Sequence, residues 1–137
     1  MIIVDDRLCL DALAGQHARF GATTDDLVVT TWGFHYRLAR ALTDTSRVGA
    51  LSGDVPAREM LYAVLSPPPD RLQVIDPREL TGAAAAAAVR HGLNLLAAEL
   101  VAAAVHHHAV IALSSANVGR SWPAAFEAEG IELRVVA

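Results

Sequence analysis

Two adjacent aspartates follow directly on an apolar segment at the start of the chain. Ile2, Ile3 and Val4 form an uninterrupted β-branched run, which is typical of a strand that is buried on both faces of a parallel sheet. Asp5 and Asp6 come at the carboxyl end of that strand, where open α/β sheets bind their ligands. A carboxylate at this position could ligate a metal ion, or it could cap the helix that follows. The residues themselves leave both interpretations open.

Two arginines lie on the polar face of a helix predicted over Trp32–Leu42. The apolar residues of this segment recur at i, i+4, i+7 and i+8 from Phe34, which is the spacing of an amphipathic helix. The opposite face carries Tyr36, Arg37 and Arg40. The two guanidinium groups could bind an RNA phosphate or a partner's carboxylate, or they could simply lie in solvent.

Polar side chains also follow a second apolar segment. Ala109–Leu113 reads AVIAL, which predicts another fully buried strand. Ser114, Ser115 and Asn117 come next and could contact a phosphate group without a metal ion. Serine and asparagine are also ordinary turn-forming residues, so a structural interpretation stands beside the functional one.

The histidines give weaker indications of chemistry. Neighbouring residues on a helix point about 100° apart, so His106, His107 and His108 cannot all meet one metal ion. We expect them at a helix carboxyl terminus, where positive charge is favourable. His35 could act as a base beside Tyr36, but no nucleophile stands at a readable spacing from it. A packed or surface histidine is therefore the favoured interpretation.

The two tryptophans are candidates for interface anchors. Large aromatic side chains often dominate protein–protein contacts, but they also fill the cores of single chains. For Trp32 and Trp122 we favour core packing.

Helical and strand-like segments alternate along the chain. Asp76-Pro77 begins a helix that runs to Arg90 and is closed by Gly92, and Leu93–His107 is apolar on nearly every side, as in a buried helix. Asp44–Asp54 is a turn-rich connection, with Asp54 as the N-cap of the next helix. The remaining segments are a short helix ending at Gly15, a brief strand or helix lead-in at Leu27–Val29, a helix at Val55–Leu65, a strand at Leu72–Ile75, a short helix at Pro123–Glu129 and an edge strand at Ile131–Val136.

This alternation predicts the fold class. Strands separated by helices form parallel sheets with right-handed crossovers and helices on both faces. We therefore expect a three-layer α/β/α fold with a central, mostly parallel sheet of four or five strands. The 137 residues suit a single domain, 1–137.

Composition excludes several classes of protein. The chain is 53% hydrophobic with a mean hydropathy of +0.34, yet no stretch reaches the roughly 18 uninterrupted apolar residues of a membrane span. No basic segment precedes the first strand as in a signal peptide, and Cys9 has no disulfide partner, so we expect a cytoplasmic protein. The net charge of −4 argues against broad electrostatic binding to nucleic acid.

The order of these segments resembles the PIN-domain family, known best from the small ribonuclease toxins of bacterial toxin–antitoxin pairs. The opening MIIVDDRLCLDALAG is similar to the family's first strand, aspartate and helix. The stretch from LQVIDPREL to AVIALSSANV resembles its carboxyl-terminal half, in which two helices meet at a Gly-Leu and a strand then delivers a polar residue. The closing GIELRVV is similar to the family's last strand.

The resemblance implies a cluster of about four carboxylates that hold one or two Mg²⁺ or Mn²⁺ ions and hydrolyse RNA. The first acid matches Asp5. The second falls on Tyr36 or Arg37, the third on about Ala97, and the fourth near Asn117. By this correspondence one acid of four remains, and Mg²⁺ is poorly held by a single carboxylate with a neutral amide.

Two other carboxylates lie close in sequence to these positions. If the first strand continued through Asp6, that side chain would point away from Asp5. Glu99 is two residues beyond Ala97, a rotation of about 200° around a helix, so we do not expect it to replace the third acid.

We therefore expect a PIN-like domain that has lost most of its metal-binding carboxylates and acts by binding. Its partner could be a second copy in a homodimer, an antitoxin-like protein or RNA, with Arg37, Arg40, Ser115 and Asn117 as binding residues. We also predict that Arg37 or Arg40 forms an ion pair with Asp5 or Asp6 where the family would hold metal. No cofactor is expected in this case.

Two alternatives remain. One is a Mg²⁺- or Mn²⁺-dependent ribonuclease toxin with a rearranged acid cluster, in which Asp5 and Asp6 are catalytic, Asp5 is the metal ligand, and Glu99 or Asp11 assists. The other is a nucleotide or phosphate binder that uses Arg37, Ser114 and Asn117, which we rank last because the sequence has no glycine-rich phosphate loop.

Overall fold

A sheet of five parallel strands forms the centre of the structure. The structure is a computed structural model that describes residues 1–46 and 55–137. The strands lie in the order β3-β2-β1-β4-β5, and every neighbouring pair is parallel. The prediction of an α/β fold with a parallel sheet is confirmed. The strands are β1 (Ile2–Val4), β2 (Val28–Thr30), β3 (Gln73–Val74), β4 (Val110–Ser114) and β5 (Leu133–Val136).

Helices connect the strands, and the arrangement is consistent with three α/β/α layers. Short 3₁₀ helices at His17–Phe20 and Ser115–Asn117 supplement the longer helices. The α-helices within the described ranges are α1 (Asp6–Leu13), α2 (Trp32–Ser46), α3 (Val55–Leu65), α4 (Pro77–His91), α5 (Leu95–His107) and α6 (Trp122–Ala128).

The central strand β1 supplies side chains to both faces of the sheet. Ile3 belongs to the core cluster that contains much of α4 and α5. Ile2 and Val4 belong to the cluster on the other face, together with Leu8 of α1. Because side chains alternate along a strand, a strand covered on both faces must be apolar at every position. This explains the unbroken Ile-Ile-Val run.

The alanine-rich part of the chain forms a tight helical pair. Asp76 caps α4 by accepting a hydrogen bond from the backbone of Arg78, and Gly92 ends the helix in the left-handed conformation with φ of 63°. Asn94 then caps α5, which is buried along most of its length as its composition predicts. In the described residues no single helix has the length and apolar composition of a membrane span. Helices α4 and α5 have that length and composition only when they are taken together, and they are bent by 116° at their junction.

Several boundaries and one burial prediction need correction. Helix α2 continues to Ser46 instead of ending at Leu42, so the first residues of the predicted connection, Asp44 to Ser46, are helical. Asp54 and the rest of that connection lie outside the described residues. Trp122 is buried as predicted, with 7% of its surface exposed, but the core position predicted for Trp32 is wrong. Trp32 is 43% exposed and stacks on Tyr36 at the surface, with 5.4 Å between ring centroids.

Candidate functional site

The candidate site lies where β1 and β4 end side by side. These strands are paired in register from Ile2 with Val110 to Val4 with Ala112, so their carboxyl ends reach the same edge of the sheet. Asp5 follows β1 immediately, and Ser114 is the last residue of β4. The position predicted for Asp5 is thus confirmed. Its side chain is fully buried.

Asp5 uses both carboxylate oxygens in hydrogen bonds to the protein. Oδ1 accepts from the backbone nitrogen of Leu8 at 2.9 Å, which makes Asp5 the N-cap of α1. Oδ2 accepts from the backbone nitrogen and the hydroxyl of Ser114, both at 2.8 Å, and from Nδ2 of Asn117 at 2.8 Å. These four bonds are about as many as a carboxylate can accept. The buried charge is therefore stabilised without a metal ion.

Asp6 points toward the same cluster. Its Oδ1 accepts from Nδ2 of Asn117 at 2.7 Å, and its Oδ2 lies 3.2 Å from Nε of Arg37. The alternation that would have turned its side chain away does not apply, because β1 stops at Val4 and α1 begins at Asp6. Two carboxylates meet at this edge, where the sequence correspondence predicted one.

Arg37 closes the cluster from α2. Besides its ion pair with Asp6, it donates from a terminal nitrogen to Oδ1 of Asn117 at 3.2 Å. The predicted ion pair at the acid site is confirmed for Arg37 with Asp6. Arg40 forms no ion pair within the described residues, and the exposed Ser115 makes none of the bonds of the cluster. The serine that contacts Asp5 is Ser114.

The residues present do not match a Mg²⁺ or Mn²⁺ site of the kind that the resemblance implies. Such ions require several oxygen ligands, and a neighbouring guanidinium competes with them for carboxylates. The second acid position falls on Tyr36 or Arg37 and the third on Ala97, so neither position supplies a carboxylate. The described residues contain no group of three or more histidine, cysteine, aspartate or glutamate side chains that could hold a metal ion.

The other candidate reactive side chains, the histidines and Cys9, do not belong to this cluster. His35 binds the carbonyl of Val64 through Nε2 at 2.5 Å, so it ties α2 to α3 as a packed histidine. His106 and His107 lie in the last turn of α5 and His108 is its C-cap, as predicted. Burial raises the pKa of the Cys9 thiol to about 12, which favours the protonated thiol over the nucleophilic thiolate near neutral pH.

Glu99 lies away from this cluster, and its role could not be predicted from the sequence. It is buried on α5 with 4% of its surface exposed, and its Oε1 accepts a hydrogen bond from the backbone nitrogen of Gly33 at 3.0 Å. Gly33 is in the first turn of α2, so the carboxylate satisfies one free N–H of that helix. A Cβ at position 33 would lie 2.6 Å from Oε1, and glycine is what permits this approach. Burial raises the pKa of Glu99.

No protein-family model and no curated protein matches the chain. Among solved structures, the fold is similar to the crystal structure of PAE2754 from Pyrobaculum aerophilum. The similarity has a TM-score of 0.52 and 20% sequence identity, and it covers 90% of this chain and 84% of the other. At this level of identity the likeness concerns the fold.

Replacing Asp5 with asparagine should strongly destabilise the protein. The new amide group would present N–H groups either to the three donors at Oδ2 or to the backbone donor at Oδ1, leaving buried donors unpaired. Each unpaired buried group costs roughly 1–3 kcal/mol, so we expect the free energy of unfolding to fall by at least about 2 kcal/mol. Urea denaturation measures the change. The control Asp11→Asn removes only the exposed ion pair with Arg19 and should cost no more than about 1 kcal/mol. Equal losses for the two variants would contradict the role given to Asp5.

Glu99 should make the free energy of unfolding fall as the pH rises, whereas a salt-bridged acid makes it rise. Its folded-state pKa is raised above the ordinary value of 4.5, so its stabilising contribution is present below that value and is lost as pH rises through the raised pKa. Glu99→Gln stays neutral and should therefore gain stability relative to the wild type over the pH range that begins at the ordinary pKa of 4.5 and extends up through the raised pKa of Glu99. Urea denaturation across this range, with the exposed Glu127→Gln as control, checks the sign. A variant whose stability ran parallel to that of the wild type would refute it.

Proposed function

We propose that this chain is a PIN-like domain whose former metal site has become a closed polar cluster, and that it acts by binding. The observation that supports the proposal is the engagement of both carboxylates. Asp5 accepts four hydrogen bonds, while Asp6 is held by Asn117 and Arg37. A metal ion that used these oxygens would have to displace donors that already compensate the buried charge.

The charges of the cluster argue in the same direction. Asp5 and Asp6 contribute two negative charges, and Arg37 neutralises one of them in place. Each Asn117 amide hydrogen is committed to a different carboxylate, and its oxygen accepts from Arg37. Because the side chains that would hold a metal ion are hydrogen-bonded to each other, the cluster supports a structural role more than a catalytic one.

Self-association is the form of binding that we propose first. Several large apolar side chains are exposed on the neighbouring helices α2 and α3, and symmetric dimers commonly bury such side chains. Tyr36 is 51% exposed, Tyr62 69% and Leu65 54%. The net charge of −4 favours a protein partner over RNA. A homodimer is thus the leading arrangement, and an antitoxin-like protein is the next.

One observation favours the alternative of a metal-dependent ribonuclease. Asp5 and Asp6 converge on a single amide nitrogen, so two carboxylates lie near each other at the expected edge of the sheet. Mg²⁺ can bind through one or two carboxylates when substrate phosphates complete its shell. This alternative requires Arg37 to leave Asp6 when RNA binds.

Metal binding and RNA cleavage should separate the two proposals. We expect the wild type to show no saturable Mn²⁺ binding by calorimetry and no Mn²⁺- or Mg²⁺-dependent cleavage of RNA. The double variant Arg37→Gln/Asn117→Asp removes the cation and adds a carboxylate beside Asp5 and Asp6, so it should show saturable Mn²⁺ binding where the wild type shows none. The matched control Arg40→Gln should behave as the wild type. Metal-dependent cleavage by the wild type that is lost in Asp6→Asn would establish the ribonuclease instead.

The oligomeric state tests self-association. Sedimentation equilibrium should give a dimer for the wild type and a monomer for the double variant Tyr36→Arg/Tyr62→Arg, because four arginines on two facing surfaces would repel each other and require desolvation. Val89 is 88% exposed on α4, and the control Val89→Arg should remain dimeric. A wild-type monomer across the micromolar range would exclude the homodimer and leave a different protein as the partner.

A further inference from the structure

An apolar groove lies between α4 and α5, beside the first turn of α2. Its volume is about 470 Å³, within the range of small-molecule binding sites. Small side chains form much of its wall, including Ala84, Ala85, Ala88 and Ala98. At its edge two large apolar side chains are left uncovered, Trp32 with 43% and Leu95 with 60% of the surface exposed.

One carboxylate interrupts the apolar lining. Glu99 is 4% exposed and lines the groove. Its Oε1 accepts the hydrogen bond from Gly33, but within the described residues Oε2 accepts none. The hydroxyl of Thr81, the other polar side chain of the lining, donates to the carbonyl of Pro77. The groove lining therefore contains a carboxylate oxygen that accepts no hydrogen bond from the described residues. No lysine or arginine of this part of the chain lines the groove to pair with it.

Oε2 is not one of the fully buried, unpaired polar atoms of the described residues, so it remains accessible from the groove. A ligand that brings a donor would add a hydrogen bond to this largely buried carboxylate. The donor should be cationic, because charge-assisted hydrogen bonds are the stronger kind and an anion would be repelled. The rest of the ligand should be apolar to match the alanines and Leu95. The indole ring of Trp32 at the edge is suited to contact with either an alkyl chain or a cation.

We propose that this groove binds a small amphiphilic amine, with its ammonium group donating to Glu99 and its apolar body lying along α4 and α5. This site is separate from the Asp5 cluster and does not depend on the function proposed for that cluster. The proposed ligand of the groove is a cation of low molecular weight.

Octylamine is a suitable probe, with octanol and octanoate as matched neutral and anionic compounds. Calorimetric titration of the wild type should show octylamine binding at least about tenfold more tightly than octanol, and octanoate more weakly than either. Glu99→Gln should weaken octylamine binding by about tenfold or more and leave octanol unchanged. Equal affinities of the three compounds, or an unchanged octylamine affinity in Glu99→Gln, would overturn the proposal.

A second pair of variants tests the location without touching the buried carboxylate. Ala85 and Ala86 are adjacent and exposed on α4, but only Ala85 lines the groove. Ala85→Leu should fill part of the groove and weaken octylamine binding by about tenfold, while Ala86→Leu should not. Equal effects of the two changes would place the amine elsewhere. If octylamine does not bind and Ala85→Leu alone converts a dimer to a monomer, the groove is an interface between copies and the proposal fails.

Discussion

The burial of the Asp5 carboxylate is the constraint that organises this structure. A negative charge at the end of a central strand is tolerated only when donors surround it. Here the donors come from three parts of the chain: the first turn of α1, the end of β4 and the 3₁₀ helix that follows β4. Compensation of one charge thus fixes how α1 leaves the sheet and where the chain turns after β4.

Asn117 extends this constraint to the second acid and to α2. Its amide nitrogen donates to Asp5 and Asp6, and its oxygen accepts from Arg37. An aspartate at this position would place a third negative charge in the cluster and could donate to neither carboxylate. The neutral amide of Asn117 therefore allows the two acids to lie together beside the single cation of Arg37. The chemistry of the site follows from this single residue type.

Local patterns in the sequence were sufficient for the fold and for the placement of Asp5. The unbroken apolar strands, the caps Asp76 and Asn94 and the break at Gly92 are properties of short segments, and the structure has the corresponding elements. The site depended on contacts that no short segment contains. Ser114 lies 109 residues from Asp5, and Glu99 lies 66 residues from Gly33. The direction of the Asp6 side chain was not predicted correctly, because it depends on whether β1 ends at Val4 or continues through Asp6.

Asp5 and Glu99, two of the buried carboxylates in the described part of the chain, differ in how completely the protein satisfies them, and this difference separates their roles. Asp5 accepts four hydrogen bonds from the chain, so a ligand could gain little by contacting it. Glu99, which lines the apolar groove, accepts one, from the first turn of α2. A fully compensated charge holds the fold together, whereas a partly compensated charge leaves interaction energy for a partner. We infer that the capacity for ligand binding lies in the helical groove, while the carboxyl edge of the sheet keeps a structural role.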